Sequence, residues 1–176
     1  QYLETMAIAY PDRRIILCGH TKGGNLAVYA AAFCSFAIQN RIQRVYNHDG
    51  PGFSAETLQA AGYRSIAQRI ETFVPQSSVV GMLMEHEEHY TVISSTQISL
   101  WQHDPYSWEV LGPDFVRLDA LDRQSIVLDS TIKHWISELD RSQREAFTDA
   151  VFQILSNTNA ASFKEMNENR MHSTAL

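Results

Sequence analysis

Short apolar runs separated by turn-forming residues divide most of the chain into alternating predicted strands and helices. An apolar run at 15–18 leads through a glycine-rich turn into an alanine-rich segment with good helix propensity at 25–36. Three further strands are predicted at 41–48, 69–74 and 89–95, where apolar and β-branched residues recur between turn signals. Strands that alternate with helices in this way are typical of an α/β fold with a mostly parallel sheet.

The remaining apolar pattern predicts shorter elements. Residues 1–10 have near-helical spacing and precede the first strand. Ser54 can cap a short helix that has Gly62 past its end, and 108–111 with 115–118 reads as a hairpin. In the strand at 89–95, the side chains of Tyr90, Val92 and Ile93 are expected to point inward.

The C-terminal third has helical periodicity. Apolar residues recur at helical spacing over 126–139, and Asp140 or Ser142 can cap a second amphipathic helix. From residue 157 onward, Asn, Ser and charged residues dominate. We therefore predict one domain over 1–156 followed by a polar tail over 157–176.

The turn between the first predicted strand and helix has the spacing of a nucleophile elbow. Gly19-His20-Thr21-Lys22-Gly23 matches G-x-S-x-G with Thr21 in the serine position. In an elbow the nucleophile projects from a strained turn, and these glycines, with Gly24, let strand and helix approach closely. The N–H of Lys22, at the helix N-terminus, would be one oxyanion donor. A phosphate-binding turn is the alternative, although the Walker pattern G-x-x-x-x-G-K-[ST] is absent.

Residues 19–31, Gly-His-Thr-Lys-Gly-Gly-Asn-Leu-Ala-Val-Tyr-Ala-Ala, resemble the elbow G-H-S-K-G-G-N-L-A-x-Y-A-A of the Mbeg-like family of bacterial lipase-like α/β-hydrolases. Stretches 45–53, 74–83 and 102–110 are similar to the same family, and their order also resembles that of class 3 lipases. The resemblance covers most of the chain from residue 14 to about 139. It implies an α/β-hydrolase fold and hydrolysis of a small-molecule or lipid ester.

An α/β-hydrolase places several strands before its elbow strand, whereas this sequence reaches its elbow by residue 19. The resemblance implies such an N-terminal half, which would supply a second oxyanion N–H from an earlier loop. We therefore expect the C-terminal part of an α/β-hydrolase fold, with a mostly parallel sheet flanked by helices.

A nucleophile of this kind needs a general base. His103 is the best candidate, because it follows the last strand predicted for the main sheet and the family block Q-H-D-P-x-S-W matches at 102–108. The alternative for His103 is a loop histidine bonded to Asp104 or to backbone. The weaker candidates for the base are His48, His86, His89 and His134.

The orienting acid has two candidates, Asp49 and Asp104. Asp49 ends a strand beside the expected elbow, whereas Asp104 precedes a proline and is expected to shape its own loop. Class 3 lipases carry an aspartate where this chain has Ser77-Ser78, and a serine cannot stabilise an imidazolium with a full charge. If neither aspartate serves, the site is a dyad.

Thr21 departs from the family pattern. A β-branched side chain is stiff at χ1 and crowds a strained turn, and the known threonine nucleophiles usually rely on an N-terminal amine as base. Two hypotheses follow. The chain is an ester hydrolase in which Thr21 attacks and His103 is the base, or it is a non-catalytic hydrolase-fold protein that binds a ligand or partner.

Composition adds few constraints to this interpretation. The 176 residues carry a net charge of −6, which argues against a nucleic-acid partner. The sequence contains no apolar run long enough to span a membrane and no visible signal peptide, so we expect a cytoplasmic protein. Cys18 and Cys34 are expected to be buried free thiols. No cofactor or metal is predicted; the histidines and glutamates of 85–89 lack the zincin spacing and read as a polar loop.

Overall fold

A computed structural model describes residues 1–78, 80–81 and 89–121, together with 135, 138–140, 142–143, 146–147 and 150. The chain divides into two compact units, Gln1–Asp129 and Ser130–Leu176. The first unit contains the sheet and all the predicted site residues that are described below.

The helices of the first unit are α1 (Tyr2–Ala9), α2 (Lys22–Phe33), α3 (Phe36–Gln39), α4 (Ala55–Gln59) and α5 (Ala61–Ile66). The strands are β1 (Ile15–His20), β2 (Ile42–His48), β3 (Ile70–Pro75), β4 (Tyr90–Ile93), β5 (Val110–Leu111), β6 (Asp114–Phe115) and β7 (Arg117–Leu118). The 3-10 turns are Ala67–Arg69, Ser99–His103 and Pro105–Ser107.

The main sheet has the order β1-β2-β3-β4-β7, and its first four strands are parallel. It is a mostly parallel sheet flanked by helices, which confirms the predicted α/β class. Residues 117–118 were predicted as part of a hairpin, and their place in the main sheet was not predicted. The second arm of the expected hairpin divides, so that β6 pairs with β5 while β7 pairs antiparallel with β4. His103 therefore precedes the last strand of the main sheet rather than following it.

The apolar core lies between the sheet and helices α2 and α5. Val28 and Ala31 of α2 are fully buried, as are Val45 of β2 and Tyr63 and Ile66 of α5. The helix α2 begins at Lys22, three residues before the predicted start, so it follows the elbow residue directly. This placement aims the positive end of the helix at the turn.

Two burial predictions are wrong, and both concern strands with one face open to solvent. Cys18, expected to be buried, is exposed, and Ile16 on the same face of β1 is 58% exposed. Tyr90, at the first position of β4, is 39% exposed, whereas Val92 and Ile93 are buried. Both cysteines are free thiols, as expected, and partial burial raises the pKa of Cys34.

Gly62 does not follow a helix end but lies inside α5. Ser54 caps α4 through a 3.4 Å bond from the Thr57 N–H, and α5 begins soon after α4 ends. A Cβ on Gly62 would lie 2.1 Å from the carbonyl oxygen of Ala32 on α2. The glycine therefore permits a close contact between α5 and α2. In the sequence, the same glycine resembled one that ends a helix.

In the second unit, the Asp140 side chain accepts a 2.9 Å bond from the Gln143 N–H, and the Gln143 side chain accepts a 2.9 Å bond from the Asp140 N–H. This reciprocal arrangement is a capping box, which confirms Asp140 rather than Ser142 as the cap. The rings of Trp135 and Phe147 are 4.9 Å apart. The predictions for residues 82–88, 126–134 and 157–176, including His86 and His134, lie outside the described residues.

Candidate functional site

The candidate residues lie at the carboxyl ends of four neighbouring parallel strands. Thr21 directly follows β1, Asp49 directly follows β2, Ser78 is three residues past β3, and His103 lies in the connection after β4. Open parallel sheets bind ligands at this edge, because the loops after adjacent strands meet there. The fold thus gathers at one edge residues that are as much as 82 positions apart in the sequence.

Thr21 has a strained backbone. Its φ of 51° and ψ of −126° lie outside the regions that β-branched residues normally adopt. Its N–H donates to the His48 carbonyl at 2.9 Å, and its own carbonyl accepts from Gly24 at 3.0 Å and Asn25 at 3.2 Å. The turn is therefore held on one side by strand β2 and on the other by the first turn of α2.

The glycines of the elbow have different functions. A Cβ on Gly19 would lie 2.2 Å from the backbone of Gly23, and one on Gly24 would lie 2.1 Å from the Asn47 side chain. Gly23, by contrast, has open space where a Cβ would stand. The close approach of strand and helix thus requires Gly19 and Gly24, and Gly23 contributes its backbone rather than its missing side chain.

Asp49 and His103 form a buried pair. The Nδ1–H of His103 donates to Asp49 Oδ2 at 2.6 Å, and the two residues are 4% and 0% exposed. Because a carboxylate only accepts, Nδ1 carries the proton of the neutral ring and Nε2 carries the lone pair. This is the tautomer that a general base needs.

The second oxygen of Asp49 is held by the loop after β3. Asp49 Oδ1 accepts the hydroxyl of Ser78 at 2.5 Å and the N–H of Gly81 at 3.0 Å. A Cβ on Gly81 would lie 2.1 Å from this oxygen, so only glycine allows the N–H to approach. The carboxylate thus has three donors, which orient it and stabilise its charge in a buried place.

Asp104, the alternative acid, is used elsewhere. Its Oδ1 accepts the Tyr106 N–H at 3.0 Å and so caps the short turn that follows. The loop around His103 is tied down by its neighbours: the Trp108 Nε1–H donates to the Gln102 carbonyl at 2.7 Å, and the Gln102 side chain accepts the Ser77 N–H at 2.8 Å. The structure therefore brings Asp49, and not Asp104, to the ring of His103.

Two further histidines, His20 and His48, lie at the elbow. The Nε2–H of His20 donates to the His103 carbonyl at 2.7 Å, and the Nδ1–H of His48 donates to the Gly19 carbonyl at 3.3 Å. Burial lowers the pKa of both rings from the ordinary value of 6.5, and the nearby His103 lowers that of His20 further. His89, at the end of the polar segment 85–89, is exposed.

The hydroxyl of Thr21 makes no hydrogen bond to any residue that the structure describes, although its oxygen is buried. The bond between nucleophile and base is therefore absent in this arrangement. A buried hydroxyl without a partner is energetically unfavourable and calls for an explanation in ligand binding or in rearrangement.

Three residues of the site were not predicted as functional. In the sequence, Ser78 stands out only as lacking the charge of an acid, and no pattern indicates Gly81, because its contact with Asp49 depends on the loop conformation. His20 had been assigned only as part of the elbow motif.

Among the residues that the structure describes, no group of three or more His, Cys, Asp or Glu side chains is arranged to hold a metal. Within the same described set, no helix is both long and apolar enough to cross a membrane.

A strained residue after the first strand and a buried Asp–His pair, at the same carboxyl edge of a parallel sheet, define an α/β protein with a candidate triad. The family model described as Mbeg1-like matches residues 1–153, and the chain therefore belongs to the Mbeg1-like family. Comparisons with curated proteins and with solved structures gave no match.

Proposed function

We propose that the protein is a carboxylic ester hydrolase of the lipase-like kind, built on an α/β-hydrolase fold. The observation that carries the proposal is the 2.6 Å bond between Asp49 and His103, at the same sheet edge as the strained Thr21 turn. A buried carboxylate on Nδ1 of a histidine, at the strand edge next to an elbow, is the arrangement that activates a hydroxyl nucleophile. The substrate class is a small-molecule or lipid ester.

In the proposed mechanism each residue of the site has a defined role. His103 Nε2 takes the proton of the Thr21 hydroxyl as its oxygen attacks the ester carbonyl. The Lys22 N–H, at the start of α2, stabilises the resulting oxyanion, and Asp49 stabilises the imidazolium. His103 then protonates the leaving alcohol, and water hydrolyses the acyl-Thr21 ester by the same steps in reverse order.

Fluorophosphonate labelling of the full chain and hydrolysis of p-nitrophenyl butyrate test this proposal. Thr21→Ser should raise both rates by about tenfold, since it removes the branched methyl from a strained turn. His103→Ala should abolish both, whereas His89→Ala, a change of an exposed histidine, should alter neither. If neither wild type nor Thr21→Ser labels or turns over, the proposal fails.

A second candidate function is ligand or partner binding without catalysis. It is favoured by the Thr21 hydroxyl, whose oxygen is buried and unbonded among the described residues. In that case the methyl of Thr21 keeps the hydroxyl away from His103 Nε2. Labelling of wild type that is lost in Thr21→Ala would exclude this alternative, and labelling of Thr21→Ser alone would support it.

A further inference from the structure

His20 connects the elbow to the loop that carries His103. Its Nε2–H donates to the His103 carbonyl at 2.7 Å, which joins residues 83 positions apart. The two rings also lie against each other, with centroids 4.5 Å apart and planes inclined by 34°. Because a carbonyl only accepts, Nε2 of His20 must carry the proton.

The charge of His20 matters because of its neighbours. The titratable groups that face it are His103, Asp49 and His48. Burial and the proximity of His103 lower the pKa of His20, so its ring is neutral at neutral pH. A neutral donor can hold the His103 backbone without placing a second cation beside the imidazolium that forms during proton transfer.

We propose that His20 is a positioning residue for His103, which fixes the base loop to the elbow through the backbone carbonyl. This inference rests on the proposed function only in so far as His103 is the base. The contact itself lies outside the triad, because it involves neither ring nitrogen of His103 and neither oxygen of Asp49. It sets the distance between the loop after β4 and the residue that precedes Thr21.

The test compares variants that separate the donor from the ring. His20→Gln keeps an N–H at similar reach and cannot titrate, His20→Phe keeps an aromatic ring without a donor, and His20→Leu removes both. His89→Gln is the control, because His89 is an exposed histidine outside the site. Each protein is labelled with ¹⁵N-histidine, and the solvent exchange of the His103 Nδ1–H is measured by NMR.

The His103 Nδ1–H should exchange roughly tenfold faster in His20→Phe and His20→Leu, the scale expected when one buried hydrogen bond is lost. In His20→Gln and His89→Gln it should stay within about twofold of wild type. Turnover of p-nitrophenyl butyrate should follow the same order, with a lower kcat and a nearly unchanged KM in the Phe variant. If His20→Leu does not fold, the comparison of Gln with Phe decides the result.

The outcomes separate the two proposals. Unchanged exchange in His20→Phe, or equally fast exchange in the Gln and Phe variants, would overturn the positioning role. Fast exchange in His20→Phe, together with no esterase activity in wild type or Thr21→Ser, would retain the positioning role and reject the hydrolase.

Discussion

Asp49 combines two features that each limit the choice of residue. Its φ of 49° is left-handed, a conformation that aspartate and asparagine tolerate better than most residues. Its carboxylate is fully buried and accepts three hydrogen bonds, from His103, Ser78 and Gly81. Asparagine would satisfy the backbone but not the charge, and the two requirements can therefore be tested separately.

Asp49→Asn should lower the turnover of p-nitrophenyl butyrate on the order of 10³-fold or more, because the amide neither stabilises an imidazolium nor fixes the required tautomer. The measurement is best made in the Thr21→Ser background, where the higher expected turnover widens the range of rates that can be measured. Asp104→Asn is the matched control, since an asparagine still accepts the Tyr106 N–H. Equal losses in the two variants would contradict the assignment of Asp49 as the acid.

Ser78→Ala should destabilise the fold by about 1–3 kcal/mol, because a buried carboxylate loses one of its donors. Turnover should also fall, as the orientation of Asp49 loosens, while Ser78→Thr keeps the hydroxyl and should recover most of both effects. Urea unfolding and steady-state kinetics measure the two. A Thr variant as impaired as the Ala variant would show that packing, and not the hydroxyl, matters at this position.

Sequence reasoning reached Asp49 and His103 because both follow predicted strands, and parallel strand ends share one edge of a sheet. It favoured Asp49 over Asp104, because Asp49 ends a predicted strand beside the elbow, whereas Asp104 precedes a proline and is expected to shape its own loop. It could not identify Ser78 and Gly81 as donors to Asp49, because those bonds depend on the conformation of the loop after β3.

At the scale of elements, the contact between β1 and α2 depends on small residues at defined places. The backbones of Gly19 and Gly23 are so close that no Cβ fits at Gly19. The helix begins at Lys22, immediately after the strained residue, and Asn25 in its first turn donates to the carbonyls of Pro51 and Gly52 at 3.0 Å each. The start of α2 is thus tied to the connection that follows β2.

The two elbow glycines should respond to alanine in opposite directions. Gly23→Ala should stabilise the protein by up to about 1 kcal/mol, because alanine favours the helix and the site has room. Gly19→Ala should destabilise it by about 1–3 kcal/mol, since the new Cβ would overlap the Gly23 backbone. Urea unfolding curves of both variants measure the effect, and a loss of stability in Gly23→Ala would show that the turn needs glycine for another reason.

The element predictions succeeded where one periodicity dominated. Strands β1, β2 and β3 lie within about two residues of their predicted bounds, since each is an apolar or alternating run between turn signals. The division of 115–118 between β6 and β7 was missed, because two-residue strands carry no period and are defined by their partners. Gly62 was misread for a related reason: it permits a contact with α2, which is distant in sequence.

At the scale of the whole first unit, the site is a group of polar side chains that are buried. Asp49, His103 and Ser78 are buried, and Asn47 and Gln102, also buried, bond to the surrounding backbone and side chains. A buried polar network of this kind is stable only when its members are satisfied and in the correct protonation state. Stability should therefore depend on pH through the histidines that the network keeps neutral.

The pKa values of His20 and His48 are lowered in the folded protein, chiefly by burial, whereas the unfolded chain has the ordinary value of 6.5. Below about pH 6.5 the unfolded state therefore binds more protons than the native state, and stability falls as pH is lowered. Well above that pH both states have these rings neutral, so they contribute no slope. Thermal unfolding should accordingly give a lower Tm at pH 5.5 than at pH 7.5.

Variants test which histidines cause this pH dependence of stability. His48→Gln and His20→Gln should each reduce the difference in Tm between pH 5.5 and 7.5, and the double variant should reduce it further, because each removes one group that takes up a proton on unfolding. His89→Gln changes an exposed imidazole and should leave the difference as it is. If the double variant retained the full difference, carboxylates or other groups would account for the acid sensitivity. A reduced difference would instead mean that the neutral histidines around the elbow set the lower pH limit at which this site stays assembled.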